Sequence, residues 1–249
     1  MQTNYAAHAA YWDWDEYDNS EDYNFWCKIS DKYGKRILSA MGAIGAAGAY
    51  MARNGYIVTV LDYTEEMISE GKKRFGNIKG LDFVQADICD FELKDKNYDF
   101  CFIAGQDINL LLSIEAVGNA LRNIRNHLRY GGCLGLDVCY PPGESHSFSV
   151  PRVEPRVPRK DGIYIWKENK GSYDAETQMH NIHQIGHVEK DGIETQTFEH
   201  SVSLRYYDKE LLLDVFQKSG YKIIGEYCNH NFEKSDNPYD NYVFELEKI

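Results

Sequence analysis

Residues 37–67 read ILSAMGAIGAAGAYMARNGYIVTVLDYTEEM. Ile37-Leu38 opens a strand, and a turn of small residues leads into a helix over Ala46 to Arg53. Tyr56 to Leu61 is a β-branched strand that ends at Asp62. Strand, tight turn, helix and strand form one half of a nucleotide-binding unit. Small side chains let backbone N–H groups approach a ligand, and a helix N-terminus favours negative charge. A carboxylate at Asp62 can accept both hydrogen bonds of a ribose diol. Without a ligand, the same glycines and alanines would serve close packing of a helix on a strand.

Outward from this segment the alternation continues. Glu65 to Phe75 reads as a helix with Thr64 as its cap. Leu81 to Gln85 is a short strand before Asp87, and Phe100 to Ala104 is a buried one. Ile114, Val117, Leu121, Ile124 and Leu128 recur at helical spacing. Gly131-Gly132 then breaks the chain before a strand over Cys133 to Val138. Strands alternating with helices predict an α/β fold, a doubly wound parallel Rossmann-like sheet with helices on both faces. Ligands of such sheets bind beyond the carboxyl ends of the strands.

The pattern changes after Tyr140. Five of the six prolines fall between Pro141 and Pro158, which predicts a loop. Strand-like runs follow near Tyr164 to Lys167, Gln178 to Val188 and Thr195 to Tyr206. Glu189-Lys190-Asp191-Gly192 joins the last two as a hairpin. Asp208 to Ser219 is a helix, and Tyr221 to Tyr227 and Tyr242 to Leu246 are final strands. The expected organisation is a core of residues 1–142 and 206–249. An antiparallel insertion over 143–205 forms a lid above the strand ends. Its exposed strand edges make it a candidate homodimer surface.

Composition excludes several classes. A chain of 249 residues, 43% hydrophobic, is not disordered. No apolar run approaches the roughly 20 residues needed to cross a bilayer, and no basic leader precedes the first aromatics, so no membrane association and a cytoplasmic protein are expected. A net charge of -12 disfavours a nucleic-acid groove. The basic stretch from Arg152 to Lys160, with Arg156 and Arg159, reads as a solvated loop. The acidic run Asp13, Asp15, Glu16, Asp18, Glu21 and Asp22 lacks calcium-loop spacing. It reads as a solvated face that could draw in amines. Six scattered cysteines form no CxxC pair, so neither zinc nor a disulfide framework is expected. Cys101 and Cys133 read as buried thiols; Cys139, after a strand end, is a candidate reactive thiol.

Here the chain resembles the class I S-adenosylmethionine-dependent methyltransferases. Gly45 stands seventeen residues before Asp62, the family's distance from its last motif glycine to the acid that holds the ribose. Asp87-Ile88 resembles the acidic and apolar pair at the adenine. Asn97-Tyr98-Asp99 resembles the start of the fourth strand, and His127 to Gly132 (HLRYGG) the turn before the fifth. In the family's D-x-G-x-G-x-G, this chain has Ser39, Met41, Ala43 and Gly45. Ala43 is tolerable at negative φ and costly at positive φ, and Met41 places a long side chain on the cofactor's path. Ala9 to Asp13 (AAYWD) and Arg205-Tyr206-Tyr207 resemble small-molecule N-methyltransferases of glycine and amino-sugar type.

The resemblance implies S-adenosylmethionine as cofactor, S-adenosylhomocysteine as product and a small-molecule acceptor, by preference at nitrogen. The implied cofactor contacts are Tyr11, Ser39, Met41, Gly42, Ala43, Gly45, Asp62, Tyr63, Met67, Asp87, Ile88, Ala104, Gly105 and Gln106. The implied substrate contacts are Asp107, Asn109, Tyr140 and Arg205. In-line methyl transfer needs proximity more than a strong base. Candidate proton acceptors are His146, His183 and His200. His183 and His187 share a strand face but lack a third metal ligand. Two other readings stand beside this one. The altered glycine motif suggests a non-methylating relative, and Gly42, Gly45 and Gly48 suggest a nicotinamide oxidoreductase, although G-x-x-G-x-x-G departs from the dinucleotide spacing.

Overall fold

The computed structural model describes residues 5–11, 20–139, 152–159, 162–234 and 242–249. His146, Tyr140, and Asp13, Asp15, Glu16 and Asp18 of the acidic run lie outside the described residues. In chain order the elements are α1 (Tyr5–Ala10), α2 (Ser20–Ser30), β1 (Arg36–Ala40), α3 (Ala46–Arg53), β2 (Ile57–Asp62), α4 (Glu65–Phe75), β3 (Leu81–Gln85), β4 (Tyr98–Ile103), α5 (Ile114–His127) and β5 (Leu128–Val138). Next come β6 (Arg152–Val153), β7 (Val157–Pro158), β8 (Ile163–Asp174), β9 (Met179–Lys190), β10 (Ile193–Arg205), α6 (Lys209–Lys218), β11 (Tyr221–Cys228) and β12 (Tyr242–Lys248). A 3-10 turn covers Asp107–Leu110.

Seven strands form the core sheet in the order β11-β12-β5-β4-β1-β2-β3. β1 pairs in parallel with β2 and β4, whereas β12 is antiparallel to both β5 and β11. Adjacent residues of one strand serve opposite faces. Ile37 joins Phe25, Trp26 and Met51 on one face; Leu38 joins Leu121, Leu134 and Phe216 on the other. Burying each such side chain contributes roughly 1.5–3 kcal/mol, so two covered faces hold the sheet between its helices. The parallel sheet and a separate antiparallel sheet match the expected class.

Gly131-Gly132 does not break the chain. β5 runs through both, and the mismatch is absorbed as a bulge between the Tyr98 and Phe100 pairings, with Gly131 at φ 66°. Gly tolerates this left-handed conformation. α5 starts at Ser113, whose hydroxyl accepts the Ala116 N–H at 3.1 Å.

The second sheet has the order β10-β9-β8-β6, with β7 also on β8. Asp191 at φ 53° and Gly192 at φ 78° turn β9 into β10, as the hairpin residues predict. Arg156 of the basic stretch pairs with Glu189 at 2.7 Å and lies over the Trp166 ring. That guanidinium therefore fastens the second sheet. α1 packs against α4 and β10, so it bridges the two sheets.

Candidate active site

The turn after β1 decides the site's floor. Met41, Ala43 and Gly45 alternate at φ 54°, 48° and 80°. For a residue with a Cβ this region costs roughly 1–2 kcal/mol, so Ala43 adopts the costly alternative. Three bonds offset the strain. The Gly42 N–H donates to the Leu61 carbonyl at 3.0 Å, the Ala43 N–H to Asp62 Oδ2 at 2.8 Å, and the Gly45 N–H to the Gly42 carbonyl at 2.8 Å. Ser39 is buried beneath the turn, where a Cβ on Gly42 would come 2.8 Å from its hydroxyl. A Cβ on Gly45 would meet Phe83 at 2.7 Å, and one on Gly48 would meet Val60 at 2.8 Å. Helix-on-strand packing thus accounts for the glycine spacing that suggested a dinucleotide fingerprint.

Asp62 ends β2 with both carboxylate oxygens engaged. Oδ1 accepts the Thr64 N–H at 2.9 Å, and Oδ2 holds Ala43. Burial raises its pKa, against the pull of these backbone donors. A carboxylate oxygen has more than one lone pair, so these two N–H groups do not exhaust its capacity to accept.

That cavity measures about 960 Å³. Its floor is Met41, Ala43, Asp62, Tyr63, Met67, Asp87, Ile88 and Asp107, all at or near carboxyl ends of the parallel strands. The opposite wall belongs to the second sheet: Lys167, Gln184, and His200 to Leu204. α1 contributes His8, and Leu110 to Leu112 form an apolar flank. His8 stacks on His200 with ring centroids 3.9 Å apart. Burial, the His200 ring and the Lys167 charge push His8 down to about 3, and burial lowers His200. Both imidazoles are neutral at pH 7.

Several anticipated residues stand elsewhere. His183 lies off the cavity, with Nδ1 3.0 Å from the Ser201 hydroxyl and Nε2 3.7 Å from Glu199. Tyr11, just past α1, stacks on Phe198 at 5.7 Å; His8, three residues earlier on α1, lines the cavity instead. Ser39, Gly42, Gly45, Ala104, Gly105 and Gln106 support the wall from behind. Ala104 packs against the core, and Asp137 accepts the N–H groups of Gly105 and Gln106 at 3.1 and 2.7 Å. Asn109 is buried, and its amide donates to the carbonyls of Arg205 at 2.7 Å and Cys139 at 3.3 Å. It ties elements together and does not face the cavity. The Arg205 guanidinium reaches the Leu112 carbonyl and the Tyr207 ring. Cys139 is pushed up to about 12 by burial and Asp137, so its thiol stays protonated and unreactive. Among the described residues no cluster of His, Cys, Asp or Glu has the makings of a metal site.

Sequence reasoning missed His8, Lys167, Gln184 and the edge strand Ser201 to Leu204. The polar character of Lys167 and Gln184 on a strand was visible, but not the face they share with His200.

A crossover turn locked to a carboxylate at the next strand's end, beneath a cavity on the carboxyl edge, defines an α/β enzyme for a nucleoside-bearing cofactor. Residues 37–132 match the family model described as a methyltransferase domain. Those residues form a methyltransferase domain, and the fold is that of the S-adenosylmethionine-dependent methyltransferases. It is 23% identical over 202 residues to a protein of Bacillus subtilis (strain 168) that carries the provisional name methyltransferase YqeM, covering 80% of this chain and 78% of that protein. In fold it is similar to an S-adenosylmethionine-dependent methyltransferase from Clostridium acetobutylicum ATCC 824, with TM-score 0.78, 14% identity and coverage of 94% and 93%. It is also similar to CalS10, an amino pentose methyltransferase from Micromonospora echinaspora, with TM-score 0.71, 16% identity and coverage of 100% and 98%. No helix among the described residues is long and apolar enough to cross a membrane.

Proposed function

We propose that this methyltransferase acts on a small molecule, at an amine nitrogen. The observation that carries the reading is a cavity of about 960 Å³ bounded by two sheets. That volume suits a small ligand beside a nucleoside cofactor, not a macromolecule. The floor fits the cofactor: Asp62 has lone pairs for the ribose diol, and Asp87 with Ile88 offers a polar and an apolar edge for the adenine. When bound, S-adenosylmethionine supplies a methyl group on a positively charged sulfur.

The chain's own residues do the rest. Met41, Ala43 and Met67 orient one side. The neutral imidazoles of His8 and His200 sit on the acceptor side, where either can accept a hydrogen bond from an N–H. Leu110 to Leu112 and Val202 exclude water from the acceptor's flank. CalS10, by its description, methylates an amino pentose. A hydroxylated amine of that size is consistent with the mixed apolar and polar wall here.

Titration calorimetry with S-adenosylmethionine and S-adenosylhomocysteine tests the reading. Asp62→Ala should weaken both by roughly 1–3 kcal/mol, the cost of stranding partners of a charged acceptor. Unchanged affinity removes Asp62 from the site. Methyl release to hydroxylated amines, and none to the matching alcohols, tests the nitrogen assignment.

A further inference from the structure

The cavity is electrically divided. Its floor carries three carboxylates, Asp62, Asp87 and Asp107; Lys167 and both imidazoles stand on the other wall. Two of the carboxylates are engaged by the chain. Asp62 holds Ala43 and Thr64, and Asp87 accepts the Cys89 N–H at 2.8 Å. Asp107 differs: its carboxylate has no hydrogen bond or ion pair among the described residues, yet it lines the cavity. Its backbone is fixed all the same, because Asp137 grips the two preceding N–H groups. An unpaired carboxylate held in place against a cavity is a waiting partner for positive charge.

We propose that Asp107 supplies the counter-charge by which this site prefers S-adenosylmethionine, a sulfonium, over S-adenosylhomocysteine, a neutral thioether. The inference rests on the cofactor reading above and adds a role to it. Both ligands share the adenosine and the amino-acid portion, so only the methyl group and the charge it gives the sulfur separate them. A carboxylate in a partly desolvated wall responds to that one charge, and loses its hold once the methyl group has left. The site would therefore favour the loaded cofactor and release the spent one. Burial, with the charges of Asp137 and Asp62, raises the Asp107 pKa well above the usual carboxylate range. The charges that act on it are Asp137 on β5, with His230 behind it, and Asp62 on β2. A bound sulfonium displaces the proton, so the preference should widen as pH rises.

The test is calorimetry with three probes on wild type and Asp107→Asn: S-adenosylmethionine, S-adenosylhomocysteine, and sinefungin, which carries an amine in place of the methylsulfonium. Asp107→Asn should weaken S-adenosylmethionine and sinefungin by about tenfold, and S-adenosylhomocysteine by less than about twofold. Equal losses for all three, or no loss, overturn the proposal. Should the variant not fold, the wild-type preference between pH 5 and 9 decides: a rise supports the proposal, and a flat ratio overturns it. Wild type that binds none of the probes removes the cofactor reading itself; wild type that binds all three without a change of ratio in the variant removes only the role of Asp107.

Discussion

The imidazole Nε2 of His230 lies 3.1 Å from Asp137 Oδ2, and its Nδ1 lies 3.3 Å from Asp22 on α2. One histidine thus couples α2 to the end of β5, and through Asp137 to the backbone of Gly105 and Gln106. Asn229, His230 and Phe232 all take left-handed φ to place it, and Phe25 and Trp26 meet the ring edge-on.

This link has a pH signature. Burial pulls the His230 pKa down, but the hydrogen bond and charge of Asp137, with the charge of Asp22, outweigh it, so the net shift is upward. A raised pKa contributes stability that is present below the unfolded value and lost as pH rises through the folded one. His230→Gln should therefore destabilise by about 1–3 kcal/mol at pH 6 and by less at pH 9. Denaturant unfolding at the two pH values measures it; an equal loss at both excludes the charge.

His8 should behave in the opposite sense. Its pKa is depressed, so its contribution is present above the unfolded value near 6.5 and is lost as pH falls toward about 3. Each such titration costs at most about 1.4 kcal/mol per pH unit. The protection factors of residues 7–11, that is exchange rates divided by the intrinsic rates at each pH, should fall between pH 7 and pH 5, and His8→Phe should abolish that fall. Protection factors that are flat with pH in wild type would separate α1 docking from the imidazole.

The strained turn yields a contest of magnitudes. Ala43→Gly removes a left-handed Cβ and should stabilise by about 1 kcal/mol after the entropy of glycine is counted. Met41→Gly relieves similar strain but forfeits packing of a side chain against the core, and should be near neutral. Thermal unfolding of the two single variants distinguishes them. A destabilised Ala43→Gly would mean that the methyl group has packing that outweighs its strain.

Asn109 joins segments far apart in sequence, since its amide holds Cys139 on both sides and the Arg205 carbonyl. Asn109→Ala strands buried backbone groups and should cost about 1–3 kcal/mol. Cofactor affinity should fall with it only if the 3-10 turn bearing Asp107 moves. Calorimetry on the folded variant separates the two effects.

Much of this was legible from residue order. Glu65–Phe75 and Leu81–Gln85 begin and end where the sequence pattern places them, because local signals dominate there, although the Thr64 side chain at the N-cap makes no cap hydrogen bond. Asp62, Asp87, Ile88, Met41, Ala43 and Asp107 were identifiable as cavity residues because strand ends of a parallel sheet converge. α1 and α2 carried no recognised signal. The choice between His8 and Tyr11 was also closed to sequence reasoning. Two rings, one on α1 and one just past it, point to different neighbours, and only the docking of α1 between α4 and β10 selects His8. Lys167 and Gln184 depend likewise on how the second sheet lies over the first.

The position of β12 has a consequence for how the chain reaches this state during synthesis. Val243, Phe244 and Leu246 fill the gap between β5 and β11, yet roughly a hundred residues separate β12 from its partner β5. β8, β9 and β10 pair only with near neighbours in sequence, so that meander can form as soon as it leaves the ribosome. β5 meanwhile keeps a bare apolar edge until β12 arrives. A nascent chain halted before Tyr242 should therefore hold a folded lobe and an unclosed core, and should be a chaperone client for that interval.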